Sequence, residues 1–116
     1  MYQYKAYVTK VYDGDTITCD IDLGFGILLK KQKLRLAGIN TPEVRGPGKE
    51  VGQYVRDIVA QKIYNKWIII HTAKDKKGKY GRWLATVYYH DEQNDYSLSL
   101  NDWLVNEGHA VFYMKD

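Results

Sequence analysis

The sequence predicts an α+β fold in a single domain, residues 1–116. Strand-like segments fill roughly the first 40 positions, and a helical apolar repeat begins only after them. With 116 residues, of which 45% are hydrophobic, the chain is long enough for one compact core and too short for two ordinary domains. Strands first, with helices interspersed later, are typical of the α+β class.

The N-terminal third of the chain is predicted to form strands. Four segments there offer strand material: 4–11, 16–23, 27–29 and 33–39. The first two are β-branched or aromatic with partial alternation, and Asp13-Gly14 between them supplies the turn of a β-hairpin. Gly24-Phe25-Gly26 interrupts the pattern. Thr41-Pro42 should end the last segment, because proline donates no hydrogen bond and favours extended geometry in its predecessor.

The middle of the chain predicts one long helix after the loop Gly46-Pro47-Gly48. Apolar residues recur there at helical spacing, together with a lysine whose stem covers the apolar edge: Val51, Tyr54, Val55, Ile58, Val59, Lys62 and Ile63. This spacing predicts a helix of roughly four turns. Two buried strands should follow, at 67–70 and 83–89, joined by a lysine-rich turn at 74–79.

A short second helix and a final strand complete the predicted elements. Ser99 and Asp102 resemble a capping pair, and the helix should end before Gly108. Its apolar stripe consists of Leu100, Trp103 and Leu104. The last strand is expected at 110–113.

Three short motifs carry side chains suited to phosphodiester chemistry. They are Asp13-Gly14-Asp15-Thr16, the run from Arg35 to Glu43, and Lys79-Tyr80-Gly81-Arg82. Carboxylate, amide and hydroxyl oxygens are ligands for a hard cation. Guanidinium groups bind phosphate because they stay charged and present a planar fork of donors. Together the motifs indicate hydrolysis of a phosphodiester bond.

In these three motifs the sequence resembles the staphylococcal nuclease (thermonuclease) family, whose patterns they follow in family order. The resemblance extends over about residues 4–113. It implies a five-stranded OB-type β-barrel with helices packed on it, which periodicity alone would not give. The family usually has a third, C-terminal helix, and we expect most of that helix to be missing because this sequence reaches Asp116 first.

The resemblance also implies a Ca²⁺ site. Asp15 would be the direct carboxylate ligand, Thr41 would contribute its backbone carbonyl and Asn40 its side-chain oxygen. Asp13 would act on the cation through water. Many family members have aspartate at position 40, so Asn40 removes one formal charge and we expect weaker Ca²⁺ binding.

The resemblance assigns catalysis to three residues: Arg35, Glu43 and Arg82. Glu43 would hold and deprotonate the attacking water, and the two arginines would flank the phosphate. Substrate contacts are implied for Lys79, Tyr80 and Tyr113, with Phe112 competing for the place of Tyr113.

The implied activity is that of a Ca²⁺-dependent, sugar-nonspecific nuclease acting on DNA and RNA and leaving 3′-phosphate ends. Single-stranded or unstacked stretches should be preferred, because a small cleft must reach the backbone. The formal charge of +3 and the pI of about 8.9 favour polyanionic partners. The competing interpretation is a non-catalytic OB-type module that binds single-stranded nucleic acid or a protein, although the retained acids and arginines argue against it.

Simpler structural roles compete with these assignments. Asp13 and Asp15 could cap a hairpin, and Arg35 could form a structural ion pair with Glu43. The single cysteine, Cys19, cannot form an internal disulfide and should be a small hydrophobe in a strand.

The sequence offers little on cellular context. The first residues contain no apolar segment of a signal peptide, and no stretch is long enough to cross a bilayer. We therefore favour a monomer in an intracellular or mobile-element setting, with no membrane partner. A processed, secreted form stays open.

Overall fold

The structure, a computed structural model, describes residues 2–74 and 83–113. Its strands and helices in chain order are β1 (Tyr2–Asp13), β2 (Thr16–Gly24), β3 (Ile27–Leu36), β4 (Ile39–Asn40), α1 (Lys49–Ile63), β5 (Trp67–Lys74), β6 (Trp83–Asp91), β7 (Asn94–Ser99), α2 (Leu100–Asn106) and β8 (Val111–Phe112). Lys79, Tyr80 and Arg82, with most of the predicted turn at 74–79, lie outside the described residues.

Five of the strands close into a barrel. β1 pairs antiparallel with β2 and β5, β2 pairs with β3, and β5 pairs with β6. A parallel pairing of β3 with β6 closes the ring. The predicted α+β fold, a five-stranded OB-type barrel with helices packed on it, is thereby confirmed.

The barrel interior and the two helices share one core. β-branched and leucine side chains at alternate positions of the strands fill the ring. Val55, Val59 and Ile63 of α1 lie one turn apart and bury the apolar face of that helix. Leu100 and Leu104 do the same for α2. Cys19 is a strand residue, as predicted, and it is fully buried. Neither helix is long and apolar enough to cross a membrane, as far as the described residues go.

The strand pattern differs from the prediction in two places. The segments 27–29 and 33–39 join into one strand, β3, which ends at Leu36 because Gly38 turns the chain with a φ of 76°. The two residues after that turn form β4, which pairs with β8. A strand that was not predicted, β7, extends the sheet beyond β6.

β7 has no apolar alternation, and hydrogen bonds from one side chain hold it in place. Asn94 donates to the backbone carbonyls of Tyr89 and Leu98, at 2.9 and 3.0 Å. Its side-chain oxygen accepts from the Leu98 amide at 3.0 Å. Because the stabilisation comes from a buried amide rather than from a hydrophobic face, periodicity could not reveal this strand.

The β2–β3 hairpin extends past the point where the barrel closes. β3 pairs with β6 only at residues 34–36, so the earlier part of β3 has β2 as its one strand partner in the described structure. The apolar side chains around the turn are exposed: Leu23, Phe25, Ile27, Leu28 and Leu29. Phe25 at the tip is fully exposed.

α2 is fixed to the barrel at its N-terminal end. The Ser99 hydroxyl accepts from the Asp102 amide at 3.0 Å, which is the predicted capping pair. Asn101, the second residue of α2, is buried, and its side-chain oxygen accepts from the Val87 amide at 3.0 Å. Its side-chain nitrogen donates to the carbonyls of Ala37 and Ala85, at 2.9 and 3.1 Å. Asn101 therefore connects α2, β6 and the turn that leads into β4.

We predict that Asn101→Ala lowers the free energy of unfolding by roughly 2–4 kcal/mol, because it removes three hydrogen bonds to the backbone and takes this partner from the Val87 amide and the Ala37 carbonyl. Urea unfolding followed by tryptophan fluorescence would measure the change. Asn106→Ala, at an exposed position of the same helix, should stay within about 0.5 kcal/mol of the wild type. Equal stability of the two variants would contradict this role of Asn101.

Candidate active site

The first two motifs meet at one end of the barrel. The turn between β1 and β2 places Asp15 against the residues that follow β3. The Leu36 amide donates to the Asp15 carbonyl at 2.8 Å, and the Thr41 amide donates to an Asp15 carboxylate oxygen at 3.0 Å. Residues separated by 26 positions are thus joined at one carboxylate.

Arg35, the first residue of the second motif, bonds to residues of both motifs. Its guanidinium is 3.1 Å from the Asp15 carboxylate and donates to the Ile39 carbonyl at 3.0 Å. It also donates to the side-chain oxygen of Asn40. The Asp15 side chain is 7% exposed and that of Arg35 is 18% exposed, so the pair is largely shielded from water. The carboxylate partner of Arg35 is therefore Asp15 and not Glu43, the partner in the alternative structural interpretation of this arginine.

Asp13 adds a second acid beside this pair. It is buried, and its carboxylate accepts from the Asp15 amide at 3.1 Å. Burial, and after it the hydrogen bond and negative charge of Asp15, raise the pKa of Asp13 to about 6. Two acids in a shielded place form a region of negative potential, which a bound cation would offset.

Thr41 and Gly14 are closely packed at the same place. A Cβ on Gly14 would lie 2.8 Å from both Thr41 side-chain atoms and from Val55 Cγ1, so this position must be glycine. The Thr41 hydroxyl is buried and, among the described residues, has no hydrogen-bond partner. An unpaired buried hydroxyl beside two acids is a candidate oxygen donor for a cation.

These oxygens fit a hard cation such as Ca²⁺. The available donors are carboxylate, amide, hydroxyl and backbone carbonyl oxygens, at Asp13, Asp15, Asn40 and Thr41. Across residues 2–74 and 83–113, no three or more His, Cys, Asp or Glu side chains come together as a metal-binding group. A cation here would therefore depend on neutral oxygens as well as on the two acids.

Glu43 is exposed and lies on the rim of a cavity that Asp15 and Arg35 also line. Helix α1 sets its position, because a Cβ built on Gly52 would lie 1.9 Å from the Glu43 carbonyl oxygen and 2.3 Å from its carbonyl carbon. The backbone of α1 therefore rests against the peptide that carries Glu43. Gly52 permits this close approach, and the sequence patterns did not single it out.

The cavity has a volume of about 770 Å³. Its lining residues are Lys10, Tyr12, Asp13, Asp15, Thr16, Thr18, Lys33, Arg35, Asn40, Thr41 and Glu43. The structure thus brings together six of the predicted site residues: Asp13, Asp15, Arg35, Asn40, Thr41 and Glu43. The sequence motifs include neither lysine. Strand alternation alone places Lys33 on the face of Arg35, whereas Lys10 reaches that face only because the register of β1 shifts.

Tyr113 lies beside the site, and Phe112 lies in β8. The Tyr113 amide donates to the Gly38 carbonyl at 2.8 Å, and the Arg35 guanidinium carbon is 5.9 Å from the centre of the Tyr113 ring. Phe112 pairs with Ile39 and is exposed. Of the two candidates, Tyr113 is the one whose ring faces Arg35.

The chain is similar in sequence to one protein family and to several individual proteins. The sequence model of the family described as "Staphylococcal nuclease homologue" matches residues 33–116. The chain is 34% identical over 111 residues to a thermonuclease of Staphylococcus hyicus, covering 91% of this chain and 59% of that protein. It is 36% identical over 106 residues to an uncharacterized endonuclease of Haemophilus influenzae, covering 91% and 51%.

A more distant relative is an uncharacterized protein of Methanocaldococcus jannaschii, which is 28% identical over 134 residues. That alignment covers 97% of this chain and 61% of the relative. The chain therefore spans between 51% and 61% of the length of the curated relatives it matches.

We predict that Gly52→Ala destabilises the protein by roughly 1–3 kcal/mol, because the added methyl group would displace the Glu43 carbonyl. Glycine to alanine inside a helix otherwise stabilises by up to about 1 kcal/mol, so the sign of the change is diagnostic. Thermal unfolding would measure it, with Val51→Ala at an exposed position of the same helical turn as the control. A Gly52→Ala variant more stable than the wild type would contradict the close approach.

Proposed function

Since this chain belongs to the staphylococcal nuclease homologue family, we propose that it is a Ca²⁺-dependent nuclease that hydrolyses phosphodiester bonds in DNA and RNA. The observation that carries the proposal is the bonded cluster of Asp15, Arg35 and Asn40 at one cavity, with Glu43 on the rim. The reaction needs a site for a metal cation, a positively charged side chain that binds the phosphate, and a carboxylate that is free to accept a proton.

Asp15, Asn40 and Thr41 would hold the Ca²⁺. Asp13, whose carboxylate accepts from the Asp15 amide, would act on the cation through water. When bound, the cation would neutralise charge on the phosphoryl oxygens and favour attack at phosphorus. The fit rests on the oxygen-only donor set and on the closeness of two acids in a buried place. Burial, and after it the hydrogen bond and charge of Asp15, raise the pKa of Asp13.

Glu43 would act as the general base. Its side chain is exposed on the rim of the cavity, where it can reach a water molecule entering from solvent, and no described side chain forms an ion pair with it. A carboxylate with these properties can accept a proton from that water as the water attacks. The contact with Gly52 would keep its backbone fixed during the reaction.

Arg35 would bind the phosphate undergoing attack. Guanidinium presents five N–H donors, so bonds to Asp15, Ile39 and Asn40 leave capacity for a phosphate oxygen. The same contacts would orient the planar guanidinium group of Arg35, so that its side chain loses less conformational entropy when the substrate binds. Family resemblance assigns the second arginine, Arg82, together with Lys79 and Tyr80, to the other side of the phosphate.

Tyr113 would stack on a base, since its ring is partly exposed beside Arg35. Stacking requires a base that has left a duplex stack, which favours single-stranded or unstacked substrates. The proposed contacts go to phosphate and to a base face and none to the 2′ position, so DNA and RNA should both be cut. The expected product carries a 3′-phosphate, and end analysis that finds 5′-phosphates would overturn this assignment.

We predict that the purified protein cleaves denatured DNA with Ca²⁺ and not with chelator, and that Glu43→Gln lowers kcat by about 10²- to 10⁴-fold, the usual contribution of a general base. Glu50→Gln, which neutralises an exposed acid in the first turn of α1, should retain activity. DNA binding without cleavage by the wild-type protein would instead identify the non-catalytic OB-type module.

We predict that Asn40→Asp tightens Ca²⁺ binding by roughly tenfold, because it restores a carboxylate beside Asp15 and the charge count of the ligands sets affinity. Isothermal titration calorimetry of metal-free protein would measure the dissociation constant, and Asn40→Ala should weaken binding. Unchanged affinity in Asn40→Asp would exclude position 40 from the cation site.

A further inference from the structure

A row of two lysines crosses the barrel surface next to Arg35. In the strand register Lys10 of β1 lies opposite Thr18 of β2, and Thr18 lies opposite Lys33 of β3. The neighbouring row contains Thr16 opposite Arg35. The lysine row is thus one side-chain step from the proposed phosphate site, on the same face of the sheet.

The separation of the two rows suits a polynucleotide. Lys33 and Arg35 are two residues apart on β3, and two residues along a strand advance about 6.7 Å. Neighbouring phosphates along an extended single strand are separated by a comparable distance. A strand whose phosphate lies at Arg35 can therefore place the next phosphate over Lys10 and Lys33.

A β-bulge places Lys10 on this face. Val8 points into the core, so regular alternation would also turn residue 10 inward. The register shifts between Val8 and Lys10, which leaves Thr9 as the extra residue, and the side chain of Val11 packs against the core instead. The bulge thus turns a charged side chain toward the cavity, a known use of such irregularities beside active sites.

Both lysines are available to bind an anion. They are exposed, they line the same cavity as Asp15 and Arg35, and neither forms an ion pair within the described parts of the chain. The Lys10 ammonium is 5.9 Å from the centre of the Tyr12 ring, which positions it without neutralising its charge.

The row beyond the lysines offers no net positive charge to a phosphate. It contains Asp20, which lies opposite Tyr7. The Asp20 carboxylate accepts from the Lys31 amide at 3.0 Å and lies 3.6 Å from the Lys30 ammonium. Because the charges of Asp20 and Lys30 offset each other, the track along this face offers one further phosphate site.

We propose that Lys10 and Lys33 form a second phosphate subsite, which binds the phosphodiester next to the one that is cleaved. The inference rests on the proposed nuclease function and adds a substrate requirement to it. The favoured substrate has at least two consecutive phosphates, and the charge of the neighbouring linkage on one side contributes to kcat/KM.

The test uses thymidine trinucleotides with two linkages. One substrate has two phosphodiesters, and two others carry a neutral methylphosphonate in one linkage or the other, so that each can be cut only at its remaining phosphodiester. For the wild-type protein, neutralising the linkage on one side of the cut should lower kcat/KM by about tenfold, the equivalent of 1.4 kcal/mol. Neutralising the other side should have little effect.

The Lys10→Ala/Lys33→Ala variant should cut the all-phosphodiester trinucleotide about tenfold less efficiently and should be insensitive to the methylphosphonate. The matched control is Lys5→Ala/Lys66→Ala, which removes the same charge from exposed residues that neither line the cavity nor form an ion pair in the described structure, and which should behave like the wild type. The subsite would be refuted if the Lys10→Ala/Lys33→Ala variant kept the wild-type sensitivity to the methylphosphonate. It would also be refuted if this variant and the control variant lost the same fraction of kcat/KM.

A binding measurement separates failure of the subsite from failure of the proposed function. In chelator, the affinity for labelled single-stranded DNA is measured at several salt concentrations. Loss of one phosphate contact should reduce the slope of log K against log salt by about 0.7 in the Lys10→Ala/Lys33→Ala variant. A wild-type protein that cuts nothing would refute the nuclease, whereas an unchanged slope in this variant would refute the subsite alone.

Discussion

The shielded ion pair between Asp15 and Arg35 is the interaction on which the site depends. Placing two charges away from water is unfavourable unless each finds a partner and its remaining hydrogen-bonding atoms are satisfied. Asp15 meets this condition with Arg35, with the Thr41 amide and with the Thr16 hydroxyl. Because these partners come from the β1–β2 turn, β3 and the segment after it, the pair fixes three parts of the chain at once.

Around this pair, close backbone packing leaves little freedom for the residues that would do the chemistry. Gly14 allows the turn to touch Thr41, and Gly52 allows α1 to touch the peptide of Glu43. The described charged residues of the cavity balance, with three acids on one side and Lys10, Lys33 and Arg35 on the other. A divalent cation that binds together with two phosphodiesters, each of which carries one negative charge, would preserve that balance.

Most strands and α1 could be predicted because they carry hydrophobic periodicity. The barrel, and a shared site for Asp15, Arg35 and Asn40, could be predicted only from the resemblance of the three motifs to a known family. β7 could not, because the Asn94 side chain rather than an apolar face stabilises it. Nor could the position of Lys10, since the bulge at Thr9 shifts the alternation by one residue and turns Lys10 to the other face of the sheet. Pairing of Arg35 with Asp15 instead of Glu43 likewise follows from three-dimensional proximity.

The hairpin that extends past the barrel has a consequence for self-association. Its apolar side chains from Ile27 to Leu29 lie on a strand whose outer edge is unpaired in the described structure, an arrangement that favours pairing with another copy of the same chain. Lys30 and Lys31 follow immediately. Two copies that met edge to edge would bring these like charges together, so the lysines act as gatekeepers against aggregation at this edge.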